Sequence, residues 1–253
     1  MVVGGRNSMK RTVLVLLGFA GIISASPVLC PSNSIAYYQA NYTSSSTACQ
    51  VGDKLFYGFT YSPTSFPDTV VAPQGTQVFV NGDPSNPNEP GLIFSSSGWT
   101  LTGASLASVI FIDATITFSI STVDGRPLIV DSSLSFDQQV TGLGQTQVGE
   151  TVTPQGQSSF NLTVTSAGPF SDVGSFPGVS TVSVSKDLLV RIPKGADSTS
   201  TATITSFREG FSETPEPTNF VLMGSSLLGV ALLLRRRQNN LHQRMSNRRR
   251  FRL

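Results

Sequence analysis

Between residues 50 and 210 no stretch sustains an apolar period of 3.6. Runs with a period of two recur in its place, and that excludes a helical core. Ser108–Ile120 sets Thr115, Thr117 and Ser119 against Ile116, Phe118 and Ile120, and Asp53–Tyr61 alternates with its aromatic weight at Leu55, Tyr57, Phe59 and Tyr61. Thr76–Val80, Leu92–Phe94, Pro127–Val130, Leu134–Val140, Phe160–Thr165, Thr181–Ser185, Leu188–Ile192 and Thr201–Phe207 are further strand-length runs. Asn81-Gly82-Asp83-Pro84, Asp124-Gly125, Lys186-Asp187 and Pro193-Lys194-Gly195 read as turns, and Thr141–Gln147 as a Gly-rich loop. The expected fold is all-β, an antiparallel β-sandwich of about eight to eleven strands over residues 51–210. About 160 residues bury a normal core.

Both ends carry address signals. Residues 1–26 predict a signal peptide, with a basic stretch at Arg6, Lys10 and Arg11, an apolar Thr12–Ile23 helix and a small-residue Ser24-Ala25-Ser26. Met9 is an alternative start to Met1. Residues 27–50 read as an extended lead-in holding Tyr37, Tyr38 and Tyr42. Cys30 and Cys49 are the two cysteines. In an exported chain they allow one intramolecular disulfide; the other reading is two unpaired thiols.

Near the other end Pro215, Glu216 and Pro217 precede an apolar run, Phe220–Leu234, which stops at Arg235, Arg236 and Arg237. This tripartite arrangement resembles the PEP-CTERM sorting signal. The resemblance implies an exosortase partner and association with exopolysaccharide. The segment Cys49–Phe56 also resembles the opening of a recurrent group of exosortase-sorted proteins with no known activity. Residues 211–219 read as a linker carrying the Pro-Glu-Pro motif, 220–237 as a single C-terminal transmembrane helix with an arginine stop, and 238–253 as a basic cytoplasmic tail. Fifteen residues of helix, Phe220–Leu234, span about 22 Å, short against a hydrocarbon core of about 30 Å. The sixteen residues after Arg237 depart from the family pattern, which ends soon after its basic cluster.

Charge separates the address from the domain. From Pro27 to Glu213 there are six basic residues against fourteen acidic ones, a balance of −8. The basic residues of the tail set the overall sign, so the domain is predicted to repel nucleic acid. The one histidine, His242, lies in the tail. That excludes a Ser-His-Asp or Cys-His site, and histidine-ligated zinc, from the exported domain. No Gly-rich phosphate loop follows a strand, and no catalytic residue, metal or cofactor is assigned. Asp113, Asp124, Asp131 and Asp137 remain as acids for a hydrolase or a calcium loop, or as solvated surface charges. Trp99 is a candidate for stacking on a sugar ring, with a half-buried core aromatic as the alternative. The expectation is a non-enzymatic surface or extracellular-matrix protein, exported and held at the inner membrane with its domain outside. The alternative is a carbohydrate-binding module at the same address.

Overall fold

The computed structural model describes residues 28–103, 108–125 and 127–214, and Leu228 beyond them. Its strands are β1 (Val28–Leu29), β2 (Asn33–Ser34), β3 (Cys49–Val51), β4 (Lys54–Phe66), β5 (Phe79–Asp83), β6 (Gly91–Ser95), β7 (Thr100–Thr102), β8 (Ile110–Thr122), β9 (Ile129–Thr141), β10 (Gln145–Pro154), β11 (Phe160–Thr165), β12 (Ser171–Val179), β13 (Thr181–Ile192) and β14 (Thr201–Gly210). The helix α1 (Ile35–Asn41) lies between β2 and β3. The first sheet runs β1-β3-β4-β8-β13-β10-β11 and the second β12-β9-β14-β6-β5-β2, with β7 also pairing β14. Every pairing is antiparallel except β1 with β3.

Strict alternation makes the sandwich. Along β8 every second residue from Ile110 to Thr122 is buried, and β13 repeats the pattern from Val182 to Ile192. Those inward residues meet Leu92, Phe94, Leu134, Ile204 and Phe207 of the second sheet in one core. Each such side chain removed from water contributes about 1.5–3 kcal/mol. Phe94 stacks on Phe207 with ring centres 4.9 Å apart, which fixes the centre of the second sheet.

The expected fold class is corrected at its ends. Among the described residues no helix is long and apolar enough to cross a membrane, against the C-terminal transmembrane helix expected over 220–237. That segment and the N-terminal signal helix both lie outside the described residues, apart from Leu228. The fourteen described strands exceed the eight to eleven expected, because β1, β2, β3 and β7 are short pieces of two or three residues.

Within the domain, Lys186-Asp187 is not a turn. It is the middle of β13, where Lys186 pairs with Ile116 and Glu150 on its two neighbours. Pro127–Val130 and Leu134–Val140 contribute to one continuous strand, β9. β10 starts at Gln145, inside the expected Gly-rich loop, and β12 lies where no strand is expected. The lead-in is also ordered. Ser34 caps α1, accepting from the Tyr37 N–H, and α1 buries Ile35 and Tyr38. Cys30 and Cys49 form a disulfide, which ties β1 to β3.

Candidate functional site

The outward residues of the first sheet are short and hydroxylated. Register places them in rows across the strands. Thr60 of β4, Thr117 of β8, Ser185 of β13 and Thr151 of β10 stand side by side. The next row is Tyr57, Ser119, Ser183 and Thr153 on the same four strands. Neighbouring strands lie about 4.8 Å apart and alternate residues about 6.7 Å apart, so the rows form a grid of hydroxyl groups. Within it Thr60 and Thr117 share a hydrogen bond of 2.7 Å, and the Thr151 hydroxyl donates to Asn161 Oδ1 at 3.0 Å.

A β-bulge opens this face. Between Tyr57 and Thr60 the β4–β8 register slips by one residue, and Gly58 takes a positive φ of 71°. A side chain at Gly58 would be strained by that backbone and would stand over Ser119. The result is a shallow groove of about 290 Å³, floored by Thr117, Ser119, Thr151, Thr153, Ser183 and Ser185. Each hydroxyl offers one donor and two acceptor positions, and none carries charge. Such a floor suits a neutral, polyhydroxylated ligand that can give and take hydrogen bonds along its length.

Two acids lie farther along the same face. Asp113 is a neighbour of Asp187 across β8 and β13. Burial, with the hydrogen bond and charge of Asp187 acting in the same direction, raises the Asp113 carboxyl to about 6. Among the described residues no three His, Cys, Asp or Glu side chains converge to hold a metal ion.

The residues singled out from sequence do not converge on one site. Asp113 belongs to the first sheet, whereas Asp131 and Asp137 lie on β9 of the second. Asp131 accepts the Ser212 N–H at 3.0 Å and also its hydroxyl. That bond holds the chain after β14 against the sandwich. Asp137 is exposed, and Asp124 occupies the turn after β8 with a φ of 56°.

Trp99 is wholly buried and stacks on Phe207 at 5.7 Å, so it is unavailable to a sugar ring. Tyr38 and Tyr42 are core residues packed edge to face at 5.1 Å. Tyr61 donates to the Pro73 carbonyl at 2.8 Å, and burial pushes its hydroxyl up to about 12. Tyr57 is half-buried, pairs with Ser119 across β4 and β8, and precedes Gly58, which lines the groove. Pro215, Glu216, Pro217, Arg235, Arg236 and Arg237 lie outside the described residues.

The hydroxyl grid is the feature that sequence reading did not assemble. Its components were visible as Thr115, Thr117 and Ser119 alternating on one strand. Their alignment with Ser183, Ser185, Thr151 and Thr153 depends on register between strands remote in sequence.

No protein-family model and no curated protein matches the chain. Solved structures with some likeness include the carbohydrate-binding module TmCBM61 in complex with beta-1,4-galactotriose. It is 9% identical at a TM-score of 0.27, over 59% of this chain and 86% of that one. The enzymatically active domain of bacteriophage CBA120 tailspike protein 4 is 10% identical at a TM-score of 0.25, over 62% of this chain and 19% of that one. The family 11 carbohydrate-binding module from Clostridium thermocellum, in complex with a beta-1,3-1,4-mixed-linked tetrasaccharide, is 10% identical at a TM-score of 0.22, over 74% of this chain and 99% of that one. At these scores the likenesses assign neither ligand nor activity to this chain.

Proposed function

We propose that this is an exported protein whose β-sandwich binds neutral polysaccharide along the outer face of the first sheet. The observation that carries this is the pair of hydroxyl rows that cross β8, β13 and β10 at the floor of the groove. Tyr57, next to the groove-lining Gly58, supplies an aromatic edge for a sugar ring. The acidic balance of the domain favours a neutral glycan over an acidic one or a nucleic acid.

Export is supported by the Cys30–Cys49 disulfide, a bond that persists in oxidising compartments. In this reading the segment 1–26 directs secretion, and Pro215-Glu216-Pro217 acts as a sorting signal for an exosortase. That signal delivers the domain to the cell surface or extracellular matrix, where exopolysaccharide is its ligand.

Affinity electrophoresis in gels containing neutral polysaccharides tests the binding. Wild-type protein should be retarded by at least one of them. Ser185→Trp, which fills the groove from an outward position, should lose at least about tenfold in affinity, or roughly 1.4 kcal/mol. No retardation in any gel, or equal retardation of the variant, counts against the groove. Mass spectrometry of the surface form tests the address, and a C-terminus still at Leu253 would sink the sorting step.

A further inference from the structure

Lys186 sits at the centre of β13 with its side chain wholly buried between the sheets. Its Nζ contacts Glu150 Oε2 and Glu209 Oε2 and lies 5.5 Å from the centre of the Phe207 ring. Glu150 is its cross-strand neighbour on β10, whereas Glu209 reaches across from β14 in the second sheet. Both carboxyl groups are buried too. The fourth member is Ser132 of β9, whose Oγ lies 2.9 Å from Glu150 Oε1 and 2.6 Å from Glu209 Oε1.

A hydroxyl has one proton, so Ser132 donates to one of these carboxyl groups and accepts from the other. Both contacts are satisfied in full when one glutamate is a protonated acid. The shorter contact, at Glu209, has the length of a carboxylic O–H bond to oxygen. The electrostatics agree. Burial, reinforced by the charge of Glu150, holds Glu209 well above the usual carboxylate range. Burial also pushes Glu150 up, but the Lys186 ammonium and the hydrogen bonds outweigh it and leave Glu150 below its ordinary value. The cluster thus holds an ammonium, a carboxylate and a carboxylic acid in mutual contact, away from water.

We propose that Lys186 and Glu209 join as an amide, a covalent cross-link between the two sheets, with Glu150 as the proton carrier. The Lys186 ammonium gives a proton to Glu150. The freed Nζ lone pair attacks Cδ of the Glu209 acid, forming the C–N bond. Glu150 returns its proton to the departing hydroxyl as the C–O bond breaks, and water leaves. The second proton lost from nitrogen ends on Glu150. Four exchangeable protons enter the step; one stays on the amide, two leave as water and one remains on Glu150. No oxidant, metal or cofactor is needed.

Two physical effects drive the step. The sandwich holds nitrogen and carboxyl in contact from strands that the fold has already fixed, which removes the entropy of bringing them together. The cluster also passes from a buried ion pair beside a neutral acid to a neutral amide beside a neutral acid, relieving the desolvation cost of the charges.

Peptide mapping of the purified, denatured and reduced full chain tests the cross-link. The peptide bearing Lys186 should be joined to the peptide bearing Glu209, at their summed mass less one water. Two separate peptides with both side chains unmodified would overturn the proposal. Glu209→Gln should link with loss of ammonia and reach the same product mass as the wild type; an unlinked, folded Glu209→Gln chain counts against it. Glu150→Gln should leave the peptides separate, and a linked product there overturns its role as proton carrier. If either variant fails to fold, the wild-type map alone still decides whether the amide exists.

Discussion

Trp99 packs on Phe207 with no side-chain surface reaching water. Trp99→Ala should therefore cost about 3–5 kcal/mol in denaturant unfolding, the range for truncating a buried aromatic. A stable Trp99→Ala protein would contradict the packing described. Gly91 is constrained differently. A Cβ there would meet the Glu209 carbonyl oxygen at 1.8 Å and the Glu209 carbonyl carbon at 2.8 Å. Gly91→Ala must push β6 away from β14 and should lose about 1–3 kcal/mol, read as a lower unfolding midpoint. Asp113 governs a pH effect. Its folded-state carboxyl is raised to about 6 from an ordinary value of 3.8, so it keeps a proton that the unfolded chain has already released. Stability should fall as pH rises from about 4 to about 6. The group is only half-buried, and solvent screening limits the effect to roughly 1 kcal/mol. Asp113→Asn should flatten that slope in thermal melts taken across the range; an unchanged slope assigns it to another group.

At the scale of elements, the disulfide encloses a short segment that includes α1. Its two cysteines are 19 residues apart, and closing such a loop is worth about 3 kcal/mol through the unfolded chain. The Cys30→Ser/Cys49→Ser double variant should lose about that much, measured by urea unfolding, and an unchanged midpoint would count against it. The strands that could be read from sequence were those with plain alternation, such as β8 and β11. β12 was not legible because Gly174, Pro177 and Gly178 dilute its β-branched signal. β13 was read in two pieces because Lys186-Asp187 looks like a solvated turn. A lysine in the middle of an apolar strand is acceptable only when carboxylates meet it inside. Glu150 and Glu209 are 36 and 23 residues away, so no local pattern announces them. The helix α1 was hidden for a related reason. Seven residues are too few to show a period, and Tyr38 and Phe59 hold it in place from different parts of the chain at 4.9 Å.

At the scale of the molecule, charge and hydroxyl groups are divided between inside and outside in an unusual way. Two lysines, Lys54 and Lys186, are wholly buried, while the groove on the outer face is floored by uncharged side chains. Ligand binding there should vary little with ionic strength, since no screened charge pair contributes. Glycan titrations at low and high salt check this, and a steep salt dependence would move the binding surface elsewhere. The alternation that made the sandwich legible also paved the groove, but the placement of hydroxyl beside hydroxyl came from register and from the bulge at Gly58.

The two ends of the described domain lie side by side. Cys30 approaches Gly82 and donates its N–H to the Gln50 carbonyl, and Phe211 donates its N–H to the carbonyl of Pro90, whose ring sits over Gly52. Lys54 holds Glu213 at the same end. A tether pulling on both termini would therefore load one corner of the molecule. The disulfide carries tension directly from Cys30 to Cys49 and leaves α1 out of the load path. On the exit side the force arrives at β14, which is gripped by β9 on one flank and β6 on the other. Extraction has to rupture both ladders together, so the arrangement behaves as a mechanical clamp at the point where the chain leaves the domain.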